Sequence, residues 1–428
     1  MGILKNDKLI VGYDLGNRFS QISYAVSADG EAETLSQVAG AQVYNIPTVL
    51  CKRIGVNQWF YGKEALRNAV EEQGILVENL VELALDGEPI LIEEDSYDPV
   101  SLLTLFFKRS LGLLSQAGTS EKLGALMITC EQLDHRMIEM LNSMLEGLRL
   151  KTDKISFQSH TESFYNYMLR QPAELRAARS MLYDYRGDRI RIYAMDCNRR
   201  TTPVVAFIEE SEADFPSWYS DGEMAESLSE ADRQGLDRAV QRLAEMSFGS
   251  RTVSSVFLIG DGFSEEWMRD SLRFLCRGRR VFQGNNLFSK GACHGMQERI
   301  HPSRTGGEYI FLGNDKLKAN IGMDVLRQGE ASYLALLDAG INWYEADQIT
   351  EFYIQEGNQI SLKITPLIGK EIRTALVTLE DLPPGISRLR ARLYLETENC
   401  LAVEIEDLGF GELRLPSGRV WRETIELY

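Results

Sequence analysis

Histidine is scarce in this chain, four among 428 residues, and none share an HxxxH or similar spacing, so a histidine-based metal centre lacks its usual scaffold. Cysteine is present but unorganised. The six at positions 51, 130, 197, 276, 293 and 400 include no CxxC pair, so they read as reduced core thiols rather than a zinc knuckle or a disulfide framework. No stretch approaches the ~20 apolar residues that a spanning helix needs. The opening MGILKNDKLIVGYDLG lacks the apolar run and small-residue cleavage site of a secretory signal. Positive charge is also short, with 46 Lys and Arg against 63 Asp and Glu, a net charge of −17. Such a surface repels nucleic-acid phosphates and anionic lipid. Together these deficits predict a cytoplasmic protein with neither nucleic acid nor membrane as a general partner. What is there is ordinary for a globular chain: 44% hydrophobic and 25% charged residues. At about 100–200 residues per domain, that length predicts two or three domains.

Two textures divide the chain near residues 305–345. Before that point, short aliphatic runs alternate with amphipathic helical patterns, the mark of an α/β architecture. After it, period-two alternation dominates, as in Leu389-Arg390-Ala391-Arg392-Leu393-Tyr394-Leu395, in Leu401, Val403 and Ile405, and in Ile360, Leu362 and Ile364. Half-buried strands separated by Gly, Pro and Asn turns describe an antiparallel β-sandwich. The α/β portion reads as two related halves. Each opens with strands joined by hairpin turns (8–15 and 20–26; 180–185 and 189–195, with 202–208 after them). Alternating helices and strands follow in each: helices at 62–72, 99–115, 134–147 and 161–169, with strands at 125–129 and 155–158, in the first half. The second has helices at 229–246, 264–275 and 286–297, with strands at 253–260 and 279–282. Duplicated halves leave a cleft between them, a natural ligand site. The acidic run 209–221 reads as a solvated loop.

The strongest local signal is Val11-Gly12-Tyr13-Asp14-Leu15-Gly16-Asn17-Arg18-Phe19-Ser20. A buried strand ends in a carboxylate, and a glycine then permits a hairpin whose amide hydrogens can face a phosphate. Asp14 at the strand's mouth could orient a water on magnesium. An ordinary Asp-Gly hairpin would carry the same residues. Val256 to Phe263, with Gly260 and Gly262 in its turn, brings backbone to a helix start at Ser264, either for a ligand or as a plain strand-to-helix turn capped by Ser264. In Ser289-Lys290-Gly291-Ala292-Cys293-His294-Gly295, small residues let a helix press on its sheet, and Lys290 is the one chemical candidate. His135 and His160 read as solvated or capping residues. The aromatics Trp343, Tyr344, Phe352 and Tyr353 either line a peptide groove or pack a core.

Taken in order, these motifs resemble the actin-like ATPase superfamily, and within it the 70-kDa heat-shock chaperones. Val11 to Ser20 is similar to the family's IGIDLGTTNS phosphate loop. Ile259 to Glu265 is similar to its VGGSTRIP turn on the adenosine side, and Ser289 to Cys293 to its AKGAA helix. Ile46-Pro47-Thr48-Val49 with Tyr61-Gly62-Lys63-Glu64-Ala65 resembles its PSVV and VGxxA segments. Leu379 to Gly385 and Leu393 to Val403 resemble its LTGIPPAPRG and FDIDANGILNV segments. The resemblance implies an actin-like (ribonuclease H-like) duplicated two-lobe ATPase fold with a C-terminal antiparallel β-sandwich. Lobe I spans 1–178, a shortened lobe II 179–325, and a sandwich like a chaperone substrate-binding domain 326–428. The helical lid that would follow the sandwich in the family has no counterpart before Tyr428.

Departures from the family bear on activity. Its first-loop Thr-Thr is Asn17-Arg18 here. Its second phosphate loop, DLGGGTFD, aligns with Asp184-Tyr185-Arg186-Gly187-Asp188-Arg189, so two glycines become bulky or charged and close backbone approach to a phosphate is lost. Its NEPTAAA glutamate becomes Ser159, with Glu162 one turn on. The stretch 79–85, where its catalytic lysine should fall, has none. With little left to stabilise the charge of phosphoryl transfer, the reading is a chaperone-like binding protein with a degenerate nucleotide cleft. It would take a protein or peptide partner at the sandwich, with ATP or ADP plus magnesium, or no cofactor, in the cleft. The alternative is a slow magnesium-dependent ATPase. Asp14 and Asp184 would then be catalytic and hold the metal through water. Gly16, Asn17, Arg18, Ser20, Arg186, Gly187, Gly260, Gly262 and Phe263 would contact nucleotide.

Overall fold

The computed structural model describes residues 8–38, 40–117, 123–152, 154–216, 219–220, 223–224, 229–263, 267–367 and 371–427. Two units meet at Ile310 and Phe311, earlier than the 325/326 boundary expected from sequence. The expected helix start and cap at Ser264 lie outside the described residues. Among them, no helix is long and apolar enough to cross a membrane.

The first unit is mixed α/β, and none of its sheets closes. One sheet runs in the order Ile155–Ser159, Leu123–Cys130, Leu9–Asp14, Phe19–Ala25, Glu33–Thr34. Leu9–Asp14 is parallel to Leu123–Cys130 and antiparallel to its hairpin partner Phe19–Ala25. A second large sheet runs Arg280–Gln283, Val253–Ile259, Arg179–Arg186, Arg189–Asn198, Val204–Asp214, Tyr309–Phe311, with the same directions about its central strand. The central strands are buried along nearly their whole length, as parallel neighbours and covering helices require. Helices Pro99–Leu111 and His135–Leu148 pack on each other, with the side chains of Asp98 and Asp134 capping their first turns.

The helix Leu287–Ile300 falls between two strands of the second sheet in sequence, Arg280–Gln283 and Tyr309–Phe311, yet it lies on the first sheet, across Leu9–Asp14, Phe19–Ala25 and Leu123–Cys130. Small residues make this crossing close. A β-carbon on Gly12 would sit 2.2 Å from both Cys293 N and Ser289 O.

Three features differ from the sequence reading. Residues 209–214 are not loop but the end of the strand Val204–Asp214, because the register sets Glu212 opposite Arg191 and Asp214 opposite Arg189. Arg189 and Arg191 both reach Glu212, so the acidic run pairs with a basic one. The strand Gly74–Val77 and helix Leu80–Asp86 were not anticipated; Asn79 enters that helix with φ +55° and no side-chain cap of its own. Among the described residues, the helix expected over 264–275 begins only at Asp270 and runs to Leu275. The buried Asp237 carboxylate sets its start, accepting the N–H groups of Arg269, Asp270 and Ser271 at 3.0, 2.7 and 3.0 Å.

The second unit holds two four-stranded antiparallel sheets. Their orders are Glu330–Leu337, Ala319–Arg327, Gln359–Pro366, Arg373–Thr378, and Asp347–Ile354, Ser387–Thr397, Cys400–Asp407, Val420–Glu426. The alternation in 389–395 becomes burial alternation: Leu389, Ala391, Leu393 and Leu395 are buried, while Arg388, Arg390 and Arg392 are exposed. Those arginines pair across strands with Glu351, Glu406 and Asp347.

Candidate functional site

The first strand of each hairpin carries a buried carboxylate, Asp14 at the end of Leu9–Asp14 and Asp184 two residues before the end of Arg179–Arg186, at 2% and 5% exposure. Neither is left bare. Asp14 Oδ1 is 2.8 Å from His160 Nε2. That ring opens the helix His160–Arg170 and stacks on Phe288, with centroids 3.9 Å apart and planes 5° from parallel. Asp184 Oδ1 accepts a hydrogen bond of 2.8 Å from Arg186 Nε. The guanidinium then lies over the Phe288 ring, 5.8 Å from its centre. Burial disfavours its charge, but Asp184 and then Asp14 more than offset this and hold its pKa above the ordinary arginine value. This cation is thus bonded to Asp184 and also feels the charge of Asp14.

The two turns also fill each other's glycine positions. Arg186 Nη1 is 3.8 Å from where a β-carbon on Gly16 would be, and Arg18 Nη1 is 3.5 Å from the same point on Gly187, where φ is +61°. The space left is small, about 20 Å³, lined by Asp14, Phe19, Gln21, Asn45, Arg186 and Asp261 among others. That is room for about one water. Gln21 donates to Asn45 Oδ1 and Asn285 O at 2.5 and 2.6 Å, while its buried Oε1 has no partner. Burial raises the pKa of Asp261 although Arg186 and Arg18 pull it down.

Lys290 is half-buried on Leu287–Ile300, and several other residues singled out from sequence are engaged by protein. Asn17 donates to Asn79 Oδ1 at 3.2 Å and accepts from Glu82 N at 3.3 Å, capping the helix Leu80–Asp86 in the stretch where the lysine was sought. Ser20 Oγ is buried against Thr48 Oγ1 at 2.9 Å. Gly260, with φ +93°, and Gly262 let their turn lie on Tyr185: β-carbons there would meet Tyr185 O at 2.2 Å and Tyr185 Cδ1 at 2.1 Å. Phe263 is 1% exposed, packed edge-on to Tyr185. Ser159 caps the helix His160–Arg170. The solvated role expected for His160 is incorrect, because the fold buries it on Asp14, 146 residues away; His135 is exposed and pairs with Glu139. A histidine beginning a helix after a buried strand, opposite a strand-end carboxylate, was the only signal available, and it has no fixed spacing to find.

Arg186 is hydrogen-bonded to Asp184, one of the two carboxylates that the resemblance assigns to a metal, and lines with Asp14 a space of about 20 Å³. Among the described residues, no three His, Cys, Asp or Glu side chains gather as a metal site.

The architecture is thus that of a mixed α/β unit followed by an all-β unit, with a narrow polar site where Asp14, Arg186 and Asp261 come together in the first. Residues 31–314 match the family described as "Family of unknown function (DUF5716) C-terminal", and the chain belongs to that family. Residues 316–427 match a domain of unknown function (DUF8552), so the two matches divide the chain close to its structural boundary. No curated protein matches the chain.

Proposed function

We propose that this protein is a non-catalytic binding module: a divergent relative of the actin-like ATPases, similar to the 70-kDa heat-shock chaperones, with a degenerate nucleotide cleft and a partner-binding β-sandwich. The observation that carries the non-catalytic part is Arg186, which supplies from within the chain the positive charge that a metal–nucleotide would bring to Asp14 and Asp184. The shared strand order of the two sheets supports the duplicated-lobe ancestry. Partner binding is proposed at the sheet edges of the second unit. All four edge strands present an exposed apolar side chain, among them Tyr333, Ile349, Tyr353, Leu376 and Val420. An extended peptide adding to such an edge gains backbone hydrogen bonds and apolar contact together. Of the aromatics considered from sequence, Tyr353 is 57% exposed, Phe352 and Tyr344 are half-buried, and Trp343 is core.

Calorimetry of the full chain with ATP or ADP and magnesium tests the first part, with no binding at millimolar nucleotide expected. Micromolar binding would overturn it and favour the slow ATPase. For the second part, Tyr353→Lys should weaken capture of extended apolar peptides by the full chain. Unchanged capture would remove that edge from the proposal.

A further inference from the structure

A second cavity, of about 180 Å³, opens where the helix His160–Arg170 crosses Leu287–Ile300 and the turn that follows. The crossing is close because of glycine: a β-carbon on Gly291 would lie 2.0 Å from Ser163 O, and one on Gly295 2.3 Å from Gln158 Oε1. The cavity is lined by Asn166, Arg170, His294, Glu298, Ser303 and Thr305, with Leu169 as its apolar wall. None of these belongs to the cleft between the hairpins.

Its polar groups have defined roles. Gln297 Nε2 donates to Ser27 O and Gly30 O at 2.9 and 2.7 Å, which turns its Oε1 toward His294 Nδ1 at 2.9 Å. His294 Nδ1 is accordingly assigned the hydrogen, leaving Nε2 with a lone pair and no protein partner among the described residues. Burial pushes the ring's pKa down to about 4, with the nearby charges of Arg170 and Lys290 acting in the same direction, so it is neutral near pH 7. Glu298 Oε1 accepts from Ser303 N at 2.6 Å, which holds the carboxylate at the wall. Arg170 makes no hydrogen bond or ion pair with the described residues.

A site with an unpaired guanidinium, a fixed carboxylate and a neutral acceptor nitrogen disfavours single-sign ligands. A phosphate would face Glu298, and a simple amine would face Arg170. Size narrows the class further. At about 30 Å³ per water in the liquid, the cavity equals roughly six waters, space for a molecule of about that many non-hydrogen atoms. We propose that this cavity binds a small zwitterion of the α-amino-acid class, its carboxylate on Arg170 and its ammonium between Glu298 and His294 Nε2.

Calorimetry of the full chain with L-alanine and L-serine, against propionate and ethylamine as the two half-molecules, tests this. Binding of the amino acids and of neither half is expected. Arg170→Gln and Glu298→Gln should each weaken it about tenfold or more, the usual cost of losing a charged hydrogen bond. Arg170 is exposed, so its variant should keep the parent's circular dichroism and melting temperature, while losing the rise in melting temperature that L-serine gives the parent. The proposal is overturned by no heat from either amino acid at millimolar concentration, by propionate or ethylamine binding as tightly, or by unchanged binding to a folded Arg170→Gln.

Discussion

Replacing Arg186 with Gln removes the cation that Asp184 and Asp14 share while keeping a hydrogen-bonding side chain of similar reach. Breaking a buried ion pair from one side costs about 3–5 kcal/mol, because the partner charge stays behind without compensation. Asp184 is buried, but the Arg186 side chain is 33% exposed, and water reaching it screens part of that loss. The expected destabilisation is therefore about 2–3 kcal/mol. Urea denaturation would read it as a lower midpoint at unchanged slope. Hydrogen exchange of peptides from Arg179–Arg186 and Arg189–Asn198 would place the loss in the second sheet. A double-mutant cycle with Asp184→Asn should return a coupling of about 1–3 kcal/mol. A folded Arg186→Gln protein within about 0.5 kcal/mol of the parent, with no coupling to Asp184, would refute the idea that this guanidinium is a built-in counterion.

Other outcomes follow from the same coordinates. Burial works to raise the pKa of Asp237, but Ser271 Oγ and the three N–H groups it accepts hold it below the ordinary aspartate value. A carboxyl depressed in the folded state stabilises above its unfolded pKa and loses that contribution as pH falls through the folded value. Asp237→Ala should thus cost about 0.5–2 kcal/mol at neutral pH and flatten the acid limb of a stability-versus-pH curve below about pH 4. In the second unit, burial likewise opposes, and bonds from Ser417, Gly409 and Arg414 outweigh it, to depress Asp407. Asp407→Ala should speed hydrogen exchange through residues 408–419. Gly291→Ala places a methyl against Ser163 O and should destabilise by about 1–3 kcal/mol in thermal unfolding. Gly235→Ala, on the exposed face of Glu230–Phe248 with nothing near its β-carbon, should stabilise by about 0.4–1 kcal/mol.

Much of the secondary structure was legible because its causes are local. The strand expected over 125–129 is Leu123–Cys130, and the helix expected over 134–147 is His135–Leu148, begun by Asp134. The alternation at 389–395 translated directly into buried and exposed faces. The errors arose where partners decided. Residues 209–214 became strand opposite arginines, and the helix ending at Leu275 starts where Asp237 supplies a carboxylate to its first N–H groups.

The sequence alone determined where strands turn, which faces are apolar, and that glycines occur where backbone must pass close to backbone, since each depends on a few adjacent residues and on Cβ sterics. The tertiary structure decided which charges meet. His160 reaches Asp14 across 146 positions, and Arg186 reaches toward both strand-end carboxylates, only because two sheets bring their central strands' ends to one place. It also decided that Leu287–Ile300 lies on the first sheet, pressing Cys293 onto Gly12. Coulomb attraction and close packing act through space, with no period in the chain to announce them, so their outcome is set by topology rather than by neighbouring residues.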